Sequence, residues 1–436
     1  MLTIYTHKKS NRLLYTLDFI FKERFDVDYK VTTDANEFRA ELGPRLNYSM
    51  DNFKDNSLNI FPVLLLFQED VTEHQVVVKE WDGVKVFYNV NKGDFPFDVF
   101  AATFFMISRY EEYLYAKKDR YGRYDPRNSL AWKNEFLYEP VVNIWLNRLG
   151  DALKDRFPDL PLKKASYSFQ PTIDVDNAWA YLHKGFLRTA GGLAMNMVQQ
   201  RFHNYGHRLK VLMGMEPDPY DNYDEIDRIH AKYGLKPYIF FLLGNYGGYD
   251  RAVSHKNKLF RQLVHNYSEK AIVGIHASFA SSQNSRHLAE EIEALDEITE
   301  KEVRCNRFHY IKFKMPDSYE KLIEQGITKD FSMGYPSRPG FRAGYAGSFK
   351  FFNLKANKTT NLRIYPFHLM DATLNFYSKH NPHEAYAKCE EIIDKVKDVG
   401  GTLMTVWHNE SFSDISPWKG WDTIYERMVD YAVPKD

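Results

Sequence analysis

At 436 residues the chain exceeds the length at which one hydrophobic core stops growing, so two domains are expected, and 44% apolar residues are ample for both cores. Lysine plus arginine equals aspartate plus glutamate at 58 each, so no net field draws the molecule to nucleic acid or to an anionic membrane. Two cysteines, Cys305 and Cys389, exclude a disulfide-rich scaffold and a cysteine-rich zinc site, and fit a reducing compartment.

The N-terminal MLTIYTHKKSNRLLYTLDFIF has no apolar run after its basic residues and no small-residue cleavage site, so it does not read as a secretory signal. Apolar runs such as IFPVLLLF fall short of the ~18 residues of a membrane helix. No membrane span and a cytoplasmic location are therefore expected. Residues 1–160 read as a smaller mixed α/β domain. It starts with a strand over LTIYT and a helical pattern from Leu13 to Phe21, then a polar, loop-rich stretch to Ser57. Strands are expected at 59–67, 74–79 and 83–89. Phe97 to Tyr115 reads as one buried helix whose polar end carries Arg109, Glu111 and Glu112, an interdomain salt-bridge cluster on the usual behaviour of charged helix ends. A second helix covers Val141 to Asp155, and DRFPDLPLKKA is a proline-punctuated linker.

Over 165–436 strands alternate with helices: ASYSFQPTID, a helix near 184–202, KPYIFFLLG, AIVGIH, a helix at 286–300, FHYIKF, PDSYEKLIEQGI, DFSMGY, LRIYPF, a helix near 383–398, and TLMTVWH. That alternation predicts parallel strands closed or half-closed by crossover helices, an α/β fold of the (β/α) barrel type, distorted or incomplete closure included. Glycine-rich GNYGGYD at 244–250 lacks the endings of a phosphate loop and reads as a βα loop over the active site.

In such barrels the loops at the C-terminal ends of the strands build the site. Asp174 and Asp176 end the first strand after the linker, and their i, i+2 spacing on extended chain sends both carboxylates to one side. Carboxylates so crowded share a proton or hold a cation. His276 ends AIVGIH and His408 ends TLMTVWH, each a histidine delivered by an apolar strand. A lone strand-end histidine is commonly a satisfied core residue; beside an aspartate pair it becomes a candidate ligand or general acid.

TIDVD, GIH, RFHY, DFSMGYPSRPGFRAG, MDATL and WHN, in this order, resemble the polysaccharide deacetylases of the NodB-homology type, carbohydrate esterase family four. The resemblance covers about 165–425. More closely, with SRYEEY in a preceding domain, the set resembles an uncharacterised bacterial subgroup of that family. The resemblance implies a hydrolase that removes acetyl groups from an N- or O-acetylated saccharide with a divalent metal, Zn²⁺ first, Co²⁺ or Ni²⁺ as alternatives. It assigns Asp174 as base, Asp176 and His276 as metal ligands, His408 as general acid, and Arg342 as the residue that orients Asp174. The family's second histidine is replaced by Ala280, and His309 is the candidate third ligand. Trp407, Asn409, Tyr345 and Asp371 are candidate substrate contacts. Two other readings stand beside it: a catalytically degenerate barrel that binds a glycan or a protein partner, and a glycoside hydrolase pairing Asp174 and Asp176 with Glu410.

Overall fold

The protein is described here as a computed structural model, and the structure describes residues 1–198 and 202–435. Its first part is a parallel sheet of β1 (Leu2–Tyr5), β2 (Tyr29–Thr32), β3 (Arg45–Asn47) and β4 (Leu58–Asn59), in the order β2-β1-β3-β4. Two of these strands lie in the stretch expected to be loop. They are short and their exposed faces polar, so no apolar run announces them. The strand expected at 59–67 is β4 followed by a 3₁₀ turn at Leu64–Phe67; Pro62 between them has no N–H to give a ladder. Only its last residue carries the expected 74–79 strand into β5 (Lys79–Trp81), which hairpins with β6 (Val84–Val86) around Asp82 and Gly83, at φ 51° and 76°. An Asp-Gly pair with both residues at positive φ is the tight turn that matches strand twist.

The expected helix over 97–115 breaks. Asp98 caps it, accepting from the Phe100 and Ala101 amides, and every residue of Val99–Ile107 is buried. Arg109 then takes a left-handed φ of 53°, and a 3₁₀ turn follows at Tyr110–Tyr113. Burial of the Arg109 guanidinium against Glu111 and Glu112 holds that turn.

After the helix Val141–Arg156 and the linker come β7 (Ser168–Val175), β8 (Tyr238–Phe241), β9 (Ile272–Ala277), β10 (Cys305–Phe308), β11 (Lys329–Asp330), β12 (Phe349–Asn353), β13 (Lys358–Ile364), β14 (Leu369–Met370) and β15 (Thr402–His408). They form one sheet in the order β12-β13-β11-β10-β9-β8-β7-β15-β14, parallel throughout except for the β12–β13 hairpin. Helices such as Lys258–Lys270, Ser285–Thr299 and Pro382–Asp398 make the crossovers. Among the described residues no hydrogen-bonded pair joins the edges β12 and β14, so closure is incomplete, as the strand–helix alternation allowed. At one edge β14 stops after two residues, and at the other Phe352 packs on Tyr15 and Phe104 of the N-terminal part, at ring separations of 5.0 and 5.2 Å. One continuous buried core therefore runs through both halves.

Two further expectations shift. FHYIKF is not a strand: β10 ends at Phe308 and His309–Ile311 is a short 3₁₀ turn. The helix near 184–202 is Phe186–Val198, and residues 199–201 lie outside the described residues. Cys305 and Cys389 are both free and buried. No described helix is long and apolar enough to cross a membrane.

Two core histidines make the fold acid-sensitive. Burial pushes His230, whose Nε2 is 2.7 Å from the Tyr425 hydroxyl, and His368 down to about 4. Both are neutral in the fold, whereas the unfolded chain takes up these protons near pH 6.5. Their contribution is complete above pH 6.5 and is lost as pH falls toward 4, at roughly 2–3 kcal/mol each by pH 4.5. Denaturant titrations should show a steep stability loss from pH 6.5 to 4.5, flattened in His230→Gln and His368→Asn; equal slopes in wild type and variants would refute this origin.

Candidate metal centre and active site

Parallel pairing sets the register that assembles the site. His408 on β15 lies opposite Asp174 on β7, and Arg307 on β10 opposite His276 on β9. The turn just beyond β7 carries Asp176, and the turn beyond β10 carries His309.

Asp176, His276 and His309 each offer one ligand atom, and these atoms all lie within 4.8 Å of one another. His276 Nε2 is 3.1 Å from Asp176 Oδ1, and His309 Nε2 is 3.3 Å from Asp176 Oδ2. Each imidazole is oriented from behind: His276 Nδ1 lies 2.8 Å from the Arg307 carbonyl, and His309 Nδ1 lies 2.7 Å from Asp250 Oδ1. Asp250 also accepts from the Phe279 amide, so the loop at 244–250 is tied to the residues following β9. Burial opposes charge on His309, but Asp176 and Asp250 outweigh it and hold the imidazole up at about 9. Burial likewise opposes charge on Asp176, and His309 and His276 overcome it, keeping the carboxyl well below its usual range.

These residues fit a divalent metal. The Asp176 carboxylate is largely buried and presents one oxygen to each imidazole Nε2, Oδ1 to His276 and Oδ2 to His309, while the other nitrogen of each ring is engaged. One carboxylate and two imidazoles, with backing acceptors on both rings, is a donor set suited to Zn²⁺, Co²⁺ or Ni²⁺.

Beside this cluster, Asp174 is 2% exposed and its Oδ2 lies 3.7 Å from His276 Nε2. Arg307, fully buried, donates through Nη1 to Asp174 Oδ1 at 2.6 Å and to Thr172 Oγ1 at 2.7 Å, and through Nε to the Phe331 carbonyl at 3.1 Å. Its guanidinium lies over the Phe240 ring at 4.6 Å. His408 accepts no such cation. Its backbone N–H donates to Asp371 Oδ2 at 2.8 Å, and Nδ1 sits 2.7 Å from Asp371 Oδ1, which turns Nε2 toward Asp176 Oδ2 at 3.9 Å. Burial works against the imidazolium, but Asp371, Asp176 and Asp174 hold it up at about 10. A cation on Asp176 would cancel part of that support. Glu410 accepts from Asn177 Nδ2 at 2.7 Å, and burial followed by the charge of Asp176 raises it.

All these carboxylates and histidines except Asp250 and Asp371 line a cleft of about 200 Å³, whose walls include Tyr310, Met370, Phe376 and Trp418. Several expected residues are elsewhere. Arg342 does not reach Asp174: it donates to Glu112 Oε2 at 2.5 Å, to Glu112 Oε1 at 2.9 Å and to the Gly334 carbonyl at 2.8 Å. Arg307 occupies the position expected of it. Trp407 precedes His408 on the strand, so it points to the opposite face, where it is fully buried against Tyr425. Asn409 is also fully buried, bridging the carbonyls of Asn177 and Tyr220. Tyr345 packs on Phe19 in the core. Asp371 is inaccessible and contacts His408 rather than the cleft.

Sequence reasoning missed Arg307 and Asp250, and it placed Asp371 at the substrate rather than behind His408. The clearest signal was Arg307 itself, a charged residue inside the short strand that leads to His309.

Residues 2–158 match a family of unknown function (DUF7033). No curated protein matches the chain. Among solved structures, a protein assigned as a polysaccharide deacetylase from Mycobacterium smegmatis is 11% identical, over 63% of this chain and 86% of its own, with a TM-score of 0.40. The Puue allantoinase is 12% identical over 62% and 84%, with a TM-score of 0.41. A protein assigned as a polysaccharide deacetylase from Pseudomonas aeruginosa PAO1 is 12% identical over 62% and 86%, with a TM-score of 0.40.

Proposed function

We propose that the chain is a metal-dependent hydrolase that removes acetyl groups from an N- or O-acetylated saccharide, with Zn²⁺ as the preferred ion. The observation that carries this reading is the Asp176, His276 and His309 cluster, with both imidazoles backed by acceptors and their free nitrogens converging on one carboxylate. A divalent ion held there supplies Lewis acidity toward the acyl carbonyl and the attacking water.

The remaining chemistry belongs to side chains around it. Asp174 takes the proton of the attacking water, and the Arg307 fork fixes the position of its carboxylate. His408, held by Asp371 with Nε2 toward the cleft, gives a proton to the departing amine or alkoxide. Its tendency to hold a proton suits an acid. Tyr310, Phe376 and Trp418 give the cleft aromatic faces on which a sugar ring can stack.

Elemental analysis of purified protein tests the reading. About one zinc per chain is expected in the wild type and none in Asp176→Ala, His276→Ala or His309→Ala, with acetate release from acetylated sugars lost in parallel. Asp250→Asn, which removes the negative charge behind His309 but keeps an acceptor, should weaken metal affinity by roughly tenfold without emptying the site at saturating metal. A wild type that holds no metal and takes up no added zinc would sink the proposal.

A further inference from the structure

A second cleft, of about 530 Å³, opens beside the first and shares Arg123, Pro336 and Tyr377 with it. Although the chain as a whole is neutral, this cleft is not: five cationic side chains and two carboxylates line it, a local charge of +3. Both carboxylates are already engaged. Asp119 pairs with Arg123 at 2.7 Å, and Asp125 with Arg127 at 2.5 Å. Among the described residues Lys118, Arg120 and Arg338 have no carboxylate partner within the cleft.

Two of the three cationic groups without a carboxylate rest on aromatic rings. Arg120 lies over the ring of Tyr121 at 4.8 Å and Arg338 over that of Trp132 at 5.3 Å. Asp119 accepts from the amides of Tyr121 and Arg123 at 2.9 and 3.0 Å, and Gly122 closes the turn at φ 76°. Lys312 ties the Tyr121 carbonyl down from the sheet side. Arg123 joins the two clefts: it is buried and donates to the Tyr310 carbonyl at 2.7 Å and to the Tyr377 hydroxyl at 3.2 Å, and both tyrosines line the metal cleft.

Planar guanidinium forks fixed on aromatic rings, without carboxylates to satisfy them, match the oxygens of a phosphate group. We infer that the second cleft binds a phosphate or diphosphate ester carried by the same saccharide whose acetyl group enters the metal cleft. This rests on the hydrolase reading for the second half of the statement only. The N-terminal part thereby acquires a role, since it supplies Lys118, Arg120 and Arg123 to the cleft while residues 336–338 complete it from the other half.

Isothermal titration with inorganic pyrophosphate tests the anion site without any turnover. Wild type should bind it; the double variant Arg120→Gln with Arg338→Gln, both at accessible positions, should bind it roughly tenfold or more weakly. His276→Ala should keep wild-type affinity, because the anion does not sit on the metal ligands. Equal affinity in the double variant, or loss of binding in His276→Ala, overturns the inference. Uridine diphosphate binding tighter than pyrophosphate would identify a nucleotide-linked sugar as the source of the phosphate, and geranyl diphosphate doing so would identify a lipid-linked one. If the double variant loses pyrophosphate while still deacetylating a neutral acetylated sugar, the anion site and the hydrolase are both upheld. If wild type binds pyrophosphate in this way but releases no acetate, only the hydrolase reading fails.

Discussion

Asp174→Asn is expected to keep about one metal ion per chain while lowering kcat by about 10²- to 10⁴-fold, the range for loss of a general base. Asp174 is not one of the three residues whose ligand atoms converge, so its removal leaves the cluster intact. Asparagine has the same shape and can still accept from Arg307, so the position of the side chain survives and only its proton affinity changes. Metal content and steady-state kinetics on one preparation separate the outcomes. Lost metal would make Asp174 a ligand. Retained metal with unchanged kcat would remove it from the chemistry.

Arg307→Met is expected to cost about 3–5 kcal/mol of stability, because it leaves the Asp174 carboxylate buried without its cation. The double variant Arg307→Met with Asp174→Asn should recover much of that loss, since neither member of the pair then stays charged. Arg307→Lys should recover little. A single ammonium cannot reach Thr172, Asp174 and the Phe331 carbonyl in the pattern that the guanidinium fork spans. Urea unfolding of wild type, Arg307→Met, Asp174→Asn and the double variant reads the coupling directly; strictly additive losses would show that the two residues do not act as a unit.

What the sequence made legible follows from the physics of parallel strands. An apolar run that stops at a polar residue marks both a strand and the end that faces the site, and this places Asp174, Asp176, His276 and His408 where the structure has them. Partners that act across strands leave no such trace. Arg307 gives no sign of its partner in the sequence, because Asp174 lies on a strand distant in the chain. Asp250 sits in a glycine-rich loop whose composition gives no hint of His309. Arg342 was misplaced because GFRAG looks like a site motif, whereas its carboxylate partner, Glu112, lies in SRYEEY of the other half. The salt-bridge reading of Arg109, Glu111 and Glu112 matches their contacts, with Arg342 as the member that crosses between halves.

The three converging ligand atoms come from the ends of β7, β9 and β10, which are brought together only by the lateral pairing of four strands, β8 among them. A slip of one residue in any of these pairings would turn that strand's ligand to the opposite face. On the proposed reading, cation capture would be a vote on the protein's own assembly: chains with one misregistered strand would lack the cluster, and a bound ion would add its binding free energy to the correct pairing alone.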